Sequence, residues 1–346
     1  MKRLEQVSLR AFNTFGTEAH ARQLLQLESL DDVGQLAAGD FRPGVDLVLG
    51  GGSNLLFVDD VPGTVYLNRI RGRRLLEDDG DSVLIEAAAG ESWNEFVCWS
   101  LDQGFSGLEN LSLIPGLAGA APMQNIGAYG VELSDLLDSV LVFDWHSGQR
   151  LRLASRDCHF SYRDSRFKSG EPERFLILSC RLRLHRTREP VLRYAGLREE
   201  LDTMGLSAPS ASEVSAAVIR LRQRKLPNPE LIGNAGSFFK NPRIPADQAE
   251  ALKMDHKGLP VHPGGDGQAR ISAAWMIEQC GWKGYREGDA GVSAQHALVL
   301  VNHGTAHGRE ILALSRRVAD SVFERFGIEL EREPALFVAA DPAAHA

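Results

Sequence analysis

The 346-residue chain is poor in several features, and each shortage narrows what the protein can be. Its four cysteines, Cys98, Cys158, Cys180 and Cys280, are scattered with no C-x-x-C pair, so they read as reduced thiols and not as a disulfide scaffold. No run approaches about 18 apolar residues, and Met1-Lys2-Arg3-Leu4-Glu5-Gln6 has no apolar signal core. Neither a membrane span nor secretion is expected, and the cytoplasm is the expected location. Acidic residues outnumber basic ones, 46 to 38. A net charge of -8 argues against a nucleic-acid binder that works by whole-surface attraction, and any anionic ligand must meet cations gathered locally. The ten histidines form no H-E-x-x-H or other ligand spacing, so no metal is expected. Nor does a repeat at a period of roughly 20–50 residues appear.

Hydrophobic residues at 43% and charged residues at 24% are ordinary for a globular protein, and the length suits two or three modules at roughly 100–200 residues each. Strands are expected at Asp46–Leu49, Leu55–Val58, Ser82–Ala87, Val140–Trp145, Phe175–Leu184 and Ala297–Val301. Ser92 with Glu95, and Ser210 with Glu213, have capping-box spacing ahead of apolar residues at helical spacing. The second of these helices must stop by about Lys225, because Pro227 follows. A third places Ile311, Leu314, Val318, Val322 and Phe326 on one face and is capped by Gly327. Strands and helices do not alternate regularly, so the fold class is α+β and not a doubly wound sheet. Turn residues cluster near Asn68–Gly72 and Ser207–Ser212, where module boundaries are placed. The Ala-rich tail from Val338 is expected to fray.

Five segments could carry chemistry. Gly50-Gly51-Gly52-Ser53-Asn54 follows a strand, and consecutive glycines can turn backbone N–H groups toward one phosphate. The segment is neither a Rossmann fingerprint, since Leu55 stands where a third glycine would fall, nor a P-loop, since no G-K-[ST] occurs. Ile114–Gly130 contains four glycines, two prolines and no charge, a composition suited to close backbone approach to a large, partly apolar ligand. Tyr162, Arg163, Arg166 and Lys168 could grip a carboxylate, although charge runs are usually solvated faces. Arg220, Arg222, Arg224 and Lys225 close a helix, where the dipole alone explains them. Beyond them, Ser237 sits between Gly236 and two phenylalanines, with Lys240 and Asn241 nearby. Glu333, before Pro334, reads by itself as an exposed strand-end carboxylate.

In this order, Gly50–Leu56, Ile114–Gly130 with its Gln-Asn-Ile-Gly-Ala-Tyr-Gly core, and Gly233–Pro242 resemble the UDP-N-acetylenolpyruvoylglucosamine reductases (UDP-N-acetylmuramate dehydrogenases). The likeness runs from about Asn13 to Phe337. It implies a three-domain flavoenzyme with the FAD-binding fold of the vanillyl-alcohol-oxidase type plus a substrate-binding domain. The implied division is residues 1–70 joined by 327–346, residues 71–210, and residues 211–326. Pro190–Tyr194 resembles the tyrosine-bearing loop of the longer subclass.

The resemblance further implies FAD as cofactor, held by Gly50, Gly51, Gly52, Ser53, Asn54, Pro115, Gly116, Gly119 and Gly127. NADPH is the implied reductant, and UDP-N-acetylglucosamine enolpyruvate the substrate reduced in cell-wall precursor synthesis. Arg163 matches the arginine that polarises the substrate carboxylate, Ser237 the proton donor, and Glu333 the carboxylate working with Arg163. Tyr194, Lys225 and Asn241 match groups that hold the UDP diphosphate, with Tyr162 beside Arg163 on the substrate side. Ala120 stands where relatives can have Ser, and His296 where they can have Gln. The alternatives are another flavoenzyme of the same fold, for instance an alcohol or aldehyde oxidase, and a non-catalytic nucleotide-sugar-binding protein.

Overall fold

A computed structural model describes residues 1–339; residues 340–346 of the tail lie outside the described residues. Near the N-terminus a four-stranded sheet runs in the order Lys2–Ser8, His20–Leu27, Val61–Asn68, Leu47–Leu49. Its first pair is antiparallel and the other two are parallel. Leu24, Val65, Leu67 and Leu49 bury one face of it against Leu9, Phe57 and Phe337. The last residue of that set comes from the far end of the chain: Ala335–Phe337 pairs in parallel with Leu55–Phe57. This return places Glu333 beside the glycine turn.

An antiparallel five-stranded sheet follows, ordered Gln149–Ala154, Leu137–Asp144, Phe175–His185, Ser82–Ala88, Arg73–Asp78. The helix Trp93–Asp102 begins at Ser92, whose hydroxyl accepts the Glu95 N–H as the sequence pattern predicts. It presses Trp93, Phe96 and Val97 onto Val83, Ile85, Val140 and Leu182. A separate cluster joins Phe143, Trp145, Leu176 and Leu178 to Leu25, Leu27, Phe41 and Tyr66, which fastens the five-stranded sheet to the N-terminal one. Trp145 stacks on Phe41 at 5.3 Å between ring centroids, and burial pushes the Tyr66 hydroxyl up to about 12.

The remaining core combines residues 235–328 with Phe15 and Leu56. Here the helix Gly308–Phe326 buries Ile311, Leu314, Val318, Val322 and Phe326, and Gly327 ends it at φ 65°, as expected of an αL cap. Leu300–Asn302 is shorter than the strand expected at Ala297–Val301 because Val299 is used in a turn, donating to the His296 carbonyl at 3.0 Å. The helix Ala211–Lys225 has its capping box and stops before Pro227. It packs through Val214, Ala217, Val218 and Leu221 on Leu197 and Leu201, and Ser215 Oγ shares a 2.7 Å hydrogen bond with Ser112 Oγ. The segment expected to open the third module thus lies on the second. No helix among the described residues is long and apolar enough to cross a membrane.

Candidate active site

The three layers converge on one cavity of about 1010 Å³. Its wall includes Gly50–Leu55, the loop from Leu113 to Gly127, and then Arg163, Lys168, Arg222, Ser237 and Glu333. The volume lies at the top of the roughly 300–1,000 Å³ range of small-molecule sites, enough for a dinucleotide.

The two glycine segments are pressed against each other. A side chain on Gly51 would meet the Gly116 Cα at 3.2 Å, and one on Gly116, which has φ +110°, would meet Ser53 Oγ at 2.6 Å. Ser53 Oγ donates to the Pro115 carbonyl at 3.3 Å, so the turn and the loop are cross-linked. The loop is anchored in turn by Trp93 N to Gly116 O at 3.0 Å, Ala118 N to Glu91 O at 2.8 Å and Gly119 N to Ala89 O at 3.0 Å. Among the described residues no protein acceptor takes the Gly51, Gly52 or Ser53 amide. N–H groups left without a protein acceptor on a glycine turn at a cavity wall could hold an anion such as a phosphate. These features fit a flavin dinucleotide: an amide nest for its diphosphate and a long, apolar loop for its ring.

Arg163 is placed by a tight turn. Ser161 and Asp164 exchange backbone hydrogen bonds of 3.1 and 3.2 Å, and Arg163 sits in the left-handed region at φ 56°. Such a conformation costs about 1–3 kcal/mol in a non-glycine residue and persists only where the surroundings impose it. The guanidinium reaches Gly127, whose carbonyl accepts from Nη2 at 2.8 Å. A side chain there would crowd the guanidinium, since a Cβ would meet Glu132 Cγ at 2.9 Å and Arg163 Nη1 and Val131 O at 3.1 Å. Arg163 Nε lies 3.0 Å from Glu333 Oε1 as an ion pair, yet its N–H is not aimed at that oxygen and is left buried without a hydrogen bond. The charge of the guanidinium is thus paired within the protein by Glu333, at the wall of the cavity. Glu132 also feels Arg163, but burial dominates and pushes its carboxyl above the usual range.

Glu333 is held from several sides. Its N–H donates to the Phe238 carbonyl at 2.9 Å, and Ala335 N donates to Asn54 O at 3.0 Å. Gln124 Nε2 donates to Glu333 Oε1 at 3.3 Å, while Asn54 Nδ2 donates to Gln124 Oε1 at 2.6 Å. Lys168 Nζ donates to the Glu333 carbonyl at 3.1 Å, and burial, with Lys240 nearby, holds its ammonium below the ordinary lysine range. An isolated antiparallel bridge between Phe239 and Arg332 sets Phe238 opposite Glu333, one residue from Ser237, and both Ser237 and Glu333 line the cavity.

The other expected site residues are less gathered. Tyr162 stacks under Arg163 at 5.4 Å and under Arg270 at 5.3 Å. Tyr194 is 42% exposed, meets Tyr129 edge-on at 5.1 Å, and carries Lys225 Nζ 5.8 Å over its ring. Asn241 Oδ1 accepts the Ala273 N–H at 3.0 Å. Tyr162, Tyr194, Lys225 and Asn241 lie outside the cavity wall, whereas Arg163, Ser237, Glu333, Gly50, Gly51, Gly52, Ser53, Asn54, Pro115, Gly119 and Gly127 line it. His296 Nδ1 accepts the Leu298 N–H at 3.3 Å. Sequence reasoning missed Gln124 as a partner of Glu333, and also Arg222. It read the latter as a helix-end charge, although its position four residues after Val218 puts it on the buried face.

The fold and cavity are those of a flavin-dependent oxidoreductase: residues 44–154 match the family model described as FAD binding domain. Residues 227–337 match that of the UDP-N-acetylenolpyruvoylglucosamine reductase C-terminal domain. The chain is 51% identical to the UDP-N-acetylenolpyruvoylglucosamine reductase of Xanthomonas euvesicatoria pv. vesicatoria, over 95% of each chain. It is 49% identical to that of Pseudomonas aeruginosa, over 96% of this chain and 98% of the other. The solved UDP-N-acetylenolpyruvylglucosamine reductase of Thermus caldophilus superposes with a TM-score of 0.66 at 27% identity, covering 97% of this chain and 98% of that one. The chain belongs to the UDP-N-acetylenolpyruvoylglucosamine reductase family.

Proposed function

We propose that the protein reduces UDP-N-acetylglucosamine enolpyruvate to UDP-N-acetylmuramate at the expense of NADPH, with FAD as cofactor, in the cytoplasm, as a step of peptidoglycan precursor synthesis. The observation that carries the reading is the Arg163–Glu333 ion pair at the wall of the cavity that Ser237 also lines. FAD, when bound, relays the hydride between NADPH and the enolpyruvyl group. Gly50, Gly51, Gly52, Ser53 and Asn54 hold it from one side, and Pro115, Gly116, Gly119 and Gly127 from the other.

Addition of hydride to the carbon remote from the carboxylate leaves negative charge delocalised into that carboxylate. Arg163 stabilises this charge at short range. Ser237 Oγ then gives a proton to the carbon next to the carboxylate. Glu333 works with Arg163: its ion pair fixes the guanidinium, and Gln124, Asn54 and Lys168 fix Glu333. Tyr194, Lys225 and Asn241 grip the diphosphate of the substrate, with Tyr162 beside the carboxylate end. Their place outside the cavity wall is consistent with a grip that closes when substrate arrives.

The tyrosine loop Pro190–Tyr194 supports membership of the longer subclass. The domain division 1–70 with 327–346, 71–210 and 211–326 is also proposed. The parallel pairing of Ala335–Phe337 with Leu55–Phe57 supports its first part, and the core built mostly from residues 235–328 its last. The packing of Ala211–Lys225 on Ala195–Thr203 favours starting the third domain after Lys225.

The reading is tested anaerobically. Purified protein should show bound flavin absorbance, lose it on NADPH addition, and regain it only when UDP-N-acetylglucosamine enolpyruvate is added. Flavin that is reoxidised by simple alcohol-derived carbonyl compounds instead, or protein that binds no FAD, contradicts it.

A further inference from the structure

Asn110 is fully buried, yet it lies outside the cavity wall. It sits in the short 3-10 turn Glu109–Leu111. Its Nδ2 donates twice, to the Tyr129 carbonyl at 2.9 Å and to the Val191 carbonyl at 2.8 Å. Its Oδ1 is buried with no partner. A buried acceptor left unpaired costs free energy, so the position is kept for its two donor contacts.

The two carbonyls lead to different parts of the site. Gly127–Ala128 and Val131–Glu132 form a two-stranded hairpin, with Tyr129 and Gly130 at its tip at φ 50° and 88°. Positive φ at both positions suits a two-residue hairpin turn and is costly for a tyrosine. Asn110 takes the carbonyl of that tip, and at the base of the hairpin the Gly127 carbonyl accepts from Arg163 Nη2. Val191 belongs to the loop Pro190–Tyr194. The Tyr194 ring meets the Tyr129 ring edge-on at 5.1 Å. Among the described residues, residues 187–193 make no hydrogen bond to the rest of the chain besides the one from Asn110 to the Val191 carbonyl.

We infer that Asn110 is a positioning residue, which hangs the tyrosine loop on the hairpin that also seats Arg163. It touches no reactant; it acts through Val191 on Tyr194. The inference rests on the reading of Tyr194 as part of the diphosphate grip. A loop fastened at one point loses its preferred place when that point is removed. The ligand must then supply the ordering, which appears as weaker binding.

Asn110→Leu, close in volume and without donors, is compared with wild type as the FAD-bound protein. Asn110→Asp, which keeps the shape and loses the amide, is the second variant should the first fail to fold, with the same expectation. In mild trypsin digestion followed by mass spectrometry, the cut after Arg193 should come about 10-fold faster in the variant, with cuts elsewhere unchanged. An unchanged rate after Arg193 would overturn the tether, and faster cutting everywhere would reduce Asn110 to a role in overall stability. UDP is then titrated into wild type, Asn110→Leu, Tyr194→Ala and the double variant. The Kd for UDP should rise about 10-fold in Asn110→Leu, and in the double variant it should be no higher than in Tyr194→Ala alone. Unchanged UDP binding in Asn110→Leu, or equal weakening in both backgrounds, would overturn action through Tyr194. Tyr194→Ala with unchanged UDP binding would sink the grip reading, and the trypsin cut would still decide the tether, so the two failures are distinguishable.

Discussion

The chemical end of the cavity and its proposed diphosphate grip differ in how complete they are in the free chain. Arg163 and Glu333 are mostly buried, and each is held by groups from separate parts of the sequence: Gly127 for the first, Gln124, Lys168 and the Phe238 carbonyl for the second. Tyr194, Lys225 and Asn241, by contrast, stand outside the wall. Tyr194 is largely exposed, and Asn241 is engaged by the Ala273 amide. The difference teaches which costs are met by folding. Charge stabilisation works through dipoles and charges fixed before the reaction, so its groups are preorganised. A grip can be assembled by its ligand, at the expense of some affinity.

If this contrast is right, substitutions at the two ends should change different quantities. At the chemical end, Ser237→Ala should lose about 10²–10⁴-fold in the substrate-dependent half-reaction, the usual range for a general acid, with flavin reduction by NADPH nearly unchanged. Ser237→Cys should recover part of that loss, because a thiol can still donate. Glu333→Gln is nearly isosteric; it should lower kcat by about 10²-fold or more, with KM and FAD content little altered. A turnover within about threefold of the parent would return Glu333 to the status of a strand-end charge.

At the grip, Lys225→Ala should act on binding. Loss of one charge-assisted hydrogen bond predicts a KM for the UDP substrate about 10- to 100-fold higher, with a smaller change in kcat and FAD retained. A kcat defect with unchanged KM would erase the contrast between the two ends.

The smallest effect on activity is expected far from both. Asp144 is buried and takes two hydrogen bonds from Arg174, at 3.0 and 2.9 Å, which bring its carboxyl down to about 2. Since the folded value is depressed below the unfolded one, its stabilisation is present above about pH 4 and disappears as pH falls toward 2. Asp144→Asn should therefore cost about 2 kcal/mol of stability at neutral pH, narrowing as acid is added, with kcat unaltered once folded. Chemical denaturation at pH 7 and pH 3 measures the difference.

Much of this organisation is written locally in the chain. The full capping box at Ser210, the N-cap at Ser92 (where Glu95 does not bond back), the apolar face ending at Phe326, and the glycine segments each depend on neighbours within a few residues, and the structure has them where expected. Charge-rich edge strands such as Lys2–Ser8 and Arg73–Asp78 were not visible, because their exposed residues have no alternation to detect. Contacts between distant segments were equally silent. Nothing adjacent to Gln124 announces Glu333, 209 residues away. Nor does the sequence indicate that a side chain at Gly127 would crowd the Arg163 guanidinium. Arg222 is the instructive case: helical periodicity placed it on the buried face, but a dipole argument that explained its three basic neighbours was extended to it.

The central claim is that Arg163, Glu333 and Ser237 serve the reduction of an enolpyruvyl ether by flavin. Stopped-flow spectroscopy on anaerobic, NADPH-reduced protein mixed with UDP-N-acetylglucosamine enolpyruvate tests it most directly. The account predicts rapid return of oxidised flavin absorbance in wild type and a slow return in Ser237→Ala, with equal rates of reduction by NADPH in both. Equal reoxidation rates in the two proteins, or no reoxidation by that substrate in wild type, would contradict it.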